Sequence, residues 1–355
     1  EWDKEISGYW VAKYPAGFQA NTITNNNGTL STTISNSSDT VVYSNKNYTS
    51  YNANMTTNAL SQNLTSSGYA SQKLSYPVFK PLTYAYNNIS TGDAYTISKE
   101  IASASSFYGL NSTKTDSHQM KNSEWGAVAY LSQSKYGLNG INIVINNVSL
   151  SNNIKGVYGI TGCSADKEDS SAITTTIDSI NNRTQKDIYV WKQEKGTQSS
   201  TTGTIYGIYD FSCGTWERVA AFVNNGHSYL NEYASSIMEL LKDNKGSKYV
   251  NIYPFDDSKD NKSITNNSDN LNKAIVANYA KNTKIYGDGI RETSTAGIGQ
   301  TSWYSDFSYF GGLYRPFIER GGYYNDSKEG TGLFSFYGNN GVSHFFGRFR
   351  SVLVS

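Results

Sequence analysis

Aromatic side chains must supply much of the hydrophobic core of this chain. Only 37% of its 355 residues are hydrophobic, but 14% are aromatic, including 29 tyrosines and 6 tryptophans. Because each aromatic ring buries a large area, a sizeable core is attainable with few aliphatic residues. The length suits one large or two modest domains. Asn, Ser and Thr supply most of the polarity, and they suit turns, loops and adaptable contact surfaces.

The charge balance argues against two classes of partner. Charged residues make up 17% of the chain, and the net charge is +1. This gives no electrostatic reason to expect binding to nucleic acid or to an anionic membrane. No window approaches the ~18 apolar residues that a membrane-spanning helix needs. We therefore expect no nucleic-acid partner and no membrane span in this sequence.

Three segments have the apolar spacing of amphipathic helices. The first is predicted to begin with Ser98 as its N-cap and to end at Gly109. The second is predicted to begin at Ser123, with Gly137 just beyond its C-terminus. The third covers residues 228–243. The faces predicted to be buried in the second and third helices contain Trp125, Val128, Ala129 and Leu131, and Tyr233, Ile237, Leu240 and Leu241.

Strands are predicted where apolar and polar residues alternate between Gly-rich turns. Residues 8–18 and 141–148 have this pattern. Residues 21–75 are rich in Asn, Ser and Thr; they form either a strand-rich subdomain, which we favour, or a partly disordered segment. The predicted fold class is α+β, with short twisted, mostly antiparallel strands, two or three helices and long loops. The C-terminal strands are predicted at 315–324, 330–338 and 347–354.

The two cysteines, Cys163 and Cys213, are too few for a disulfide scaffold. In an extracellular protein they would form one bridge worth ~2–4 kcal/mol, and otherwise they are two thiols. The three histidines are not close together in the sequence, and no Walker loop, HExxH or CxxC motif occurs. A metal hydrolase or a catalytic triad is therefore poorly supported.

One acidic segment bears on metal binding. Asp256, Asp257 and Asp260 lie close together in the sequence. Oxygen-rich loops can bind calcium, but this spacing lacks the Gly and the terminal Glu of an EF-hand. We expect a solvated acidic turn and no metal site, with calcium binding as the alternative. No other cofactor is expected.

Four separated motifs occur in one order along the chain: "DSHQMKNSEWGAVAYLSQSKYG", "TTGTIYGIYDFSCGTWERVAAFV", "PFIERGGYY" and "GRFRSVLV". They resemble the formylglycine-generating-enzyme-like (sulfatase-modifying-factor-like) branch of the C-type lectin fold. That branch has a Trp-Glu helix, a "GLYDMxGNVWEWV" segment, an "RGGSW" strand and a terminal "GFR" strand. The resemblance covers residues 95–355 and implies a C-type-lectin-like ligand-binding domain there. Residues 1–94 are then an N-terminal strand and loop region, partly packed on that domain.

The resemblance extends to the variable proteins of diversity-generating retroelements and to surface or phage proteins of gut Firmicutes. It implies a non-enzymatic adhesin or receptor-binding protein, extracellular or displayed on a bacterial surface or virion. Its partner would be a protein or glycan receptor on another cell surface. The alternatives are a phage tail receptor-binding protein, a pilus or filament subunit that self-assembles, and a protein-modifying enzyme that uses Cys213.

Binding is expected on the C-terminal strands and loops. Tyr, Asn and Ser recur there between Gly and Phe residues, which is the composition of adaptable binding surfaces, although ordinary polar loops of a Tyr-rich chain would look the same. Relatives with retroelement-driven variation place their variable positions near this end of the fold. The candidate ligand-binding residues are Tyr323, Tyr324, Asn325, Ser335, Tyr337, Asn339, Asn340, Ser343, His344 and Phe345, bordered by Trp303 and Tyr304.

Four other residues are expected to be structural. Trp125, on a helix face, and Trp216, in an apolar segment, are predicted to be buried. Arg320 and Arg350 are predicted to tie loops to carboxylates such as Glu217 through bidentate bonds.

The sequence also departs from the family pattern. Cys213-Gly-Thr replaces the Asn-Val of the family's second motif, and Arg218 replaces its second Trp. The main-chain calcium ligation found at that segment in some relatives is therefore not expected. The oxidase branch of the family uses cysteines in its C-terminal part. No Cys follows Cys213, so that chemistry is not implied.

Overall fold

The structure of the chain is a computed structural model. It describes residues 8–18, 22–24, 30–31, 40–42, 51–54, 61–62, 77–81, 84–86, 89–103, 108–140, 161–165, 175–176, 184–185, 188–190, 200–204, 207–212, 214–242, 246–258, 268–282, 284–322, 332–344 and 346–355.

The described residues form short strands and a smaller number of helices. The strands are β1 Trp10–Val11, β2 Gly17–Phe18, β3 Thr22–Thr24, β4 Leu30–Ser31, β5 Thr40–Val42, β6 Tyr51–Asn54, β7 Ser61–Gln62, β8 Tyr84–Ala85, β9 Asp116–Gln119, β10 Cys163–Ala165, β11 Thr175–Thr176, β12 Thr184–Gln185, β13 Ile188–Val190, β14 Trp216–Asn224, β15 Asn251–Pro254, β16 Ile298–Gly299, β17 Ser308–Tyr309, β18 Phe317–Arg320, β19 Phe336–Asn339, β20 Gly347–Phe349 and β21 Ser351–Val354. The helices are α1 Thr91–Glu100, α2 Asn122–Gln133, α3 Tyr229–Lys242, the single turn α4 Gly246–Tyr249, and α5 Ser268–Lys281.

The main sheet has the strand order β15-β14-β18-β19-β17-β16, and β20 also pairs with β14. β14 is parallel to β15 and β20, and β17 is parallel to β19. This sheet is therefore mixed, but the smaller described sheets are antiparallel, so most of the described strand pairings are antiparallel, as predicted. Parallel neighbours need long crossover connections, which the chain supplies between β14 and β15 through α3 and α4.

A three-stranded sheet joins the two ends of the described chain. Its order is β1-β21-β9, with Trp10 opposite Leu353 and Gln119 opposite Ser351. Further along the N-terminal segment, the N–H of Ala16 donates to the carbonyl of Phe349 (2.9 Å). Residues between 10 and 16 thus pair with the C-terminal strands. The domain boundary expected between residues 94 and 95 falls inside α1.

Short strands also recur in the polar N-terminal region. β4, β3, β5, β6 and β7 form a five-stranded sheet in that order, and β2 pairs with β8. Among the described residues, the segment 21–75 is therefore strand-rich, as favoured from its sequence. The strand predicted at 141–148 lies outside the described residues.

Alternation along β14 divides the core into two layers, because successive strand residues point to opposite faces. Val219, Ala221 and Val223 face the layer that contains α2 and α5. Ala220 and Phe222 face the layer that contains α1 and α3. Helices therefore pack on both faces of the main sheet, and the fold class is α+β, as predicted. The first layer includes Trp125, Val128, Phe211, Ile275, Tyr279, Phe310, Phe334 and Phe336, and the second includes Tyr95, Leu230, Ala234, Ile237, Val250 and Phe317.

Two of the predicted helices are confirmed. In α3, Ile237 is fully buried, and Tyr233, Leu240 and Leu241 pack beside it. In α2, Trp125, Val128 and Ala129 are buried as predicted, but Leu131 is 50% exposed. The buried arc of α2 continues through Ser132 instead, so Leu131 lies beyond its edge. The N-cap of α2 is Lys121, whose N–H donates to the Glu124 carboxylate (2.8 Å), and not Ser123.

The first predicted helix has the wrong bounds. α1 ends close to where that helix was predicted to begin. Its N-cap is Ser90, whose Oγ accepts the N–H of Asp93 (3.1 Å). Ser98 lies inside the helix, where its hydroxyl bonds the Ser351 hydroxyl (2.9 Å). The Ser-x-x-Asp spacing at the true start is a capping pattern that the sequence contains.

α5 was not predicted. Leu271, Ile275 and Tyr279 recur at four-residue spacing along it and pack on the core. The Asn and Lys residues between them weaken this pattern. With α5, the described residues contain four helices longer than one turn, where two or three were predicted.

Candidate functional site

The motifs that carry the family resemblance meet around Trp125. Its ring stacks on Phe211 at 4.0 Å between centroids, and its Nε1 donates to the carbonyl of Leu333 (2.9 Å). The guanidinium of Arg320 lies 5.5 Å from the Trp125 ring centroid. Trp125 is 0% exposed, so its expected burial is confirmed. Residues far apart in the sequence thus form one aromatic centre.

Two buried arginines also join these motifs. Arg350 donates from Nε to Glu217 Oε2 (3.0 Å) and from Nη2 to Glu217 Oε1 (2.9 Å), which is the bidentate pair expected from the sequence. Arg320 differs from the expectation. Its Nη1 donates to Asn122 Oδ1 (2.7 Å) and to the carbonyl of Asp288 (2.8 Å). Its hydrogen-bond acceptors are thus amide and carbonyl oxygens, since β18 places it beside α2.

The part of the main sheet formed by β17 and β19 carries half-buried aromatic residues. Tyr309 is directly opposite Tyr337, at 5.4 Å between ring centroids, so the two side chains share one face. Phe307 stacks on Tyr309 at 6.2 Å, and the guanidinium of Arg315 lies 5.1 Å from the Tyr309 ring and 5.2 Å from the Tyr337 ring. Arg315 also donates to the Tyr337 hydroxyl. We call Phe307, Tyr309, Arg315 and Tyr337 the aromatic face.

Trp216 supports the aromatic face from β14. It is 3% exposed, as expected for a structural residue, and its ring stacks on Tyr337 at 5.4 Å. Ser308 and Phe336, which alternate with Tyr309 and Tyr337 along their strands, are fully buried in the layer of α2. The strand pleat therefore presents one side of β17 and β19 to the core and leaves the other partly open.

A buried chain of charged groups lies next to the aromatic face. Glu319 is opposite Tyr337 in the sheet. Its Oε1 is 3.0 Å from His344 Nε2 and 3.3 Å from Arg218 Nη1. Burial lowers the pKa of His344 below its ordinary value, although Glu319 opposes this. Burial would raise the pKa of Glu319, but His344 and Arg218 together hold it below its ordinary value.

The buried charged groups beside the aromatic face are not fully hydrogen-bonded. Glu319 Oε2, His344 Nδ1 and Arg218 Nε are buried and have no hydrogen-bond partner among the described residues. Buried polar atoms normally have partners, and an unsatisfied group needs a specific explanation. These three atoms therefore have unused hydrogen-bonding capacity, and they lie next to the aromatic face.

Two of the predicted ligand-binding residues are buried, which differs from the expectation. Ser335 is 0% exposed and donates to the carbonyl of Gly332 (2.8 Å). Asn339 is 7% exposed, and its Oδ1 accepts the N–H of Gly341 (2.7 Å). His344 is half-buried; its Nε2 bonds Glu319, and its Nδ1 has no hydrogen-bond partner among the described residues.

The other predicted residues of the C-terminus fall into two groups. Tyr337 and Asn340 are half-buried, and Ser343 is exposed, which leaves them accessible. Asn340 also accepts the N–H of Val342 through its side chain (3.1 Å). The remaining predicted residues lie outside the described residues, and they are Tyr323, Tyr324, Asn325 and Phe345.

Trp303 and Tyr304 are exposed but contact a different layer. They are 46% and 49% exposed, and both pack on Phe334, at 5.2 Å and 6.1 Å between centroids. Tyr304 also donates to Gln133 Oε1 at the end of α2 (2.5 Å). Since Phe334 belongs to the layer of α2, these contacts are with that layer and not with the aromatic face.

Sequence reasoning missed Tyr309, Phe307, Arg315 and Glu319. The alternation in "DFSYF" contains the signal for Phe307 and Tyr309. Such alternation predicts which side of the strand is exposed, but it does not predict which other strand pairs with it. Arg315 and Glu319 join the site only through the pairing of β18 with β19.

A strained acidic residue lies in the segment before β14. Asp210 has a φ of 66°, which non-glycine residues seldom adopt, and its side chain accepts the N–H of Gly162 (2.7 Å). Burial raises its pKa to about 6, although Arg348 opposes the shift. Cys213 lies outside the described residues, as does the side chain of Cys163, so their pairing stays a prediction.

The described part of the chain contains no group of three or more His, Cys, Asp or Glu residues that could hold a metal ion. In the acidic segment, Asp256 Oδ1 accepts the N–H of Ser258 (3.0 Å), and Asp257 is exposed. Asp260 lies outside the described residues. None of the described helices is long and apolar enough to cross a membrane.

Comparison with known proteins found no match to a family model and none to a curated protein.

Proposed function

We propose that this chain is a non-enzymatic adhesin or receptor-binding protein with a C-type-lectin-like domain, displayed outside the cell or on a virion. Its ligand is a protein or glycan receptor on another cell surface. The observation that carries the proposal is the aromatic face, where rings and a guanidinium are half exposed on a rigid sheet. The convergence of the four resemblance motifs on Trp125 and Glu217 supports the lectin-like fold.

The chemistry of the aromatic face suits receptor binding. Ring faces stack on the apolar side of a sugar or on apolar side chains, and exposed aromatic and Arg residues dominate binding energy at interfaces. Arg315 adds donors that can reach a carboxylate or a hydroxyl while its plane lies over Tyr309 and Tyr337. Trp216 and the paired strands hold these groups in place, which limits the entropy lost on binding.

The test is binding of the purified chain to an array of glycans and cell-surface proteins. Wild type should bind at least one member, and Tyr309→Ala and Arg315→Ala should each weaken that binding about tenfold or more, as at interface hot spots. Tyr136→Ala is the control, because Tyr136 is 75% exposed but follows α2, in the opposite layer. Equal binding by wild type, Tyr309→Ala and Arg315→Ala would contradict the proposal.

A thiol enzyme is the second candidate, and one observation favours it. Asp210 combines a strained backbone with a raised pKa, a combination that is common at active sites, and it is three residues from Cys213 in the sequence. Alkylation with iodoacetamide and mass-spectrometric mapping tests this candidate. A thiol at Cys213 whose alkylation rate already reaches its plateau near neutral pH would favour it, and recovery of a Cys163–Cys213 disulfide would exclude it.

A further inference from the structure

We propose that a cleft between α1, β9 and β21 binds a small acidic sugar, through a carboxylate held by lysines and a ring held by hydroxyl groups. The cleft has a volume of about 470 Å³, within the range of small-ligand sites. None of its lining residues belongs to the aromatic face, so the inference does not depend on the proposed function. Its lining residues are Lys99, Ala102, Ser103, Ser112, Thr113, Lys114, Thr115, Asp116, Tyr249, Val354 and Ser355.

The carboxylate of Asp116 organises the wall of the cleft. Lys99 Nζ is 2.6 Å from Asp116 Oδ1, and Lys248 Nζ is 3.2 Å from Oδ2. The hydroxyl of Tyr249 also donates to Oδ2 (2.6 Å). Three donors thus share one carboxylate, which fixes the positions of both ammonium groups and of the Tyr249 ring.

Positive charge exceeds negative charge here. Among the side chains, Lys99 and Lys114 line the cleft and Lys248 adjoins it, whereas Asp116 is the one lining residue with a carboxylate side chain. Lys99 lies 3.8 Å from the Tyr249 ring centroid, and burial lowers its pKa despite Asp116. An anion in the cleft would favour the charged form of Lys99. The local charge therefore selects a ligand that carries a negative group.

The hydroxyl groups narrow the class of ligand. Ser103, Ser112, Thr113 and Thr115 line the same cleft, and each hydroxyl can both donate and accept a hydrogen bond. Sugar hydroxyls are complementary to such a surface. The volume is also far larger than an inorganic anion requires. A sugar with a carboxylate satisfies both the lysines and the hydroxyls, and inorganic phosphate satisfies only the lysines.

Calorimetric titration of the whole chain at low salt tests the inference with three probes: glucuronate, glucose and inorganic phosphate. Glucuronate should bind, and glucose and phosphate should each bind about tenfold more weakly, because each lacks one set of contacts. Binding of glucuronate should weaken as salt is added.

Two variants test the lysines. Lys99→Met should raise the Kd for glucuronate about tenfold, the factor for one charge-assisted hydrogen bond. Lys114→Met should raise it by a smaller factor. Because Lys114 is exposed, this variant keeps the test available if Lys99→Met unfolds. Lys273→Met, which removes an exposed charge on α5, should leave the Kd unchanged.

Three results would overturn the inference. The first is that glucuronate gives no heat of binding, and the second is that glucose or phosphate binds as tightly as glucuronate. The third is that the Kd for glucuronate is unchanged in both Lys99→Met and Lys114→Met. Tyr309→Ala should bind glucuronate like wild type. A failure of this inference is therefore distinguishable from a failure of the proposed receptor site.

Discussion

The two faces of the main sheet carry the same kinds of side chain in different surroundings. Toward α2, Trp125 and Phe336 are fully buried, and Arg320 donates from each of its nitrogens to an oxygen. On the other side, Tyr309 and Tyr337 are half-buried, and Arg315 lies over their rings. Aromatic and Arg residues thus stabilise the fold where they are fully buried, whereas those at β17 and β19 stay partly accessible, because α1 and α3 cover another part of that face.

The largest effect is expected at the covered face. Trp125→Ala should lower the free energy of unfolding by about 5 kcal/mol, the upper end for a buried Trp, because the stacking on Phe211 and the bond to Leu333 are lost as well. Urea denaturation measures this. A loss below about 1 kcal/mol would mean that Trp125 is not at the centre of the core.

A somewhat smaller loss of unfolding free energy is expected when the buried ion pairs of Glu217 are removed. Glu217→Gln should destabilise by about 3 kcal/mol, because it removes the buried carboxylate that pairs with both Arg348 and Arg350. The matched control is Glu239→Gln, which removes an exposed pair with Lys242 and should cost less than about 1 kcal/mol. Equal losses in the two variants would show that burial of the pair does not matter.

The charged chain beside the aromatic face should make stability depend on pH. Burial holds the pKa of His344 in the folded chain below its ordinary 6.5. At a pH between this lowered pKa and 6.5, the unfolded chain therefore binds a proton at His344 that the folded chain does not. Stability should therefore fall as the pH falls below 6.5. His344→Gln should flatten this part of the curve of unfolding free energy against pH.

The control for that curve is Asp210, whose pKa is shifted in the opposite sense. Burial raises it from 3.8 to about 6, so the folded chain gains stability as the pH falls through 6. Asp210→Asn should remove that gain and steepen the acid-side loss. If His344→Gln and Asp210→Asn change the slope in the same direction, one of the two assignments is wrong.

The smallest effect on stability is expected on the aromatic face itself. Tyr309→Ala should cost no more than about 1–2 kcal/mol, because its ring is only partly buried and packs against the outside of the core. The same variant should weaken receptor binding strongly. A large loss of stability in thermal unfolding would assign Tyr309 to the core and remove the contrast between the two faces.

Much of the local structure was predictable. The spacing of Tyr233 and Ile237 predicted α3, and the C-terminal alternation predicted strands at 315–324 and 330–338, which overlap β18 and β19. The partnership of Arg350 with Glu217 was also expected. These features depend on which side of an element faces the core, and the sequence period contains that information. α5 was missed because polar residues interrupt its period.

The α+β class, the aromatic composition of the core and the location of most C-terminal strands follow from the amino-acid sequence alone. Which outward-facing positions stay open depends on tertiary packing. Ser335 and Asn339 have the residue types of a binding surface, yet neighbouring groups bury them, whereas Tyr309 and Arg315 remain partly accessible. The exposure of a residue depends on which distant strand or helix lies beside it, and the apolar pattern of its own segment does not contain that information.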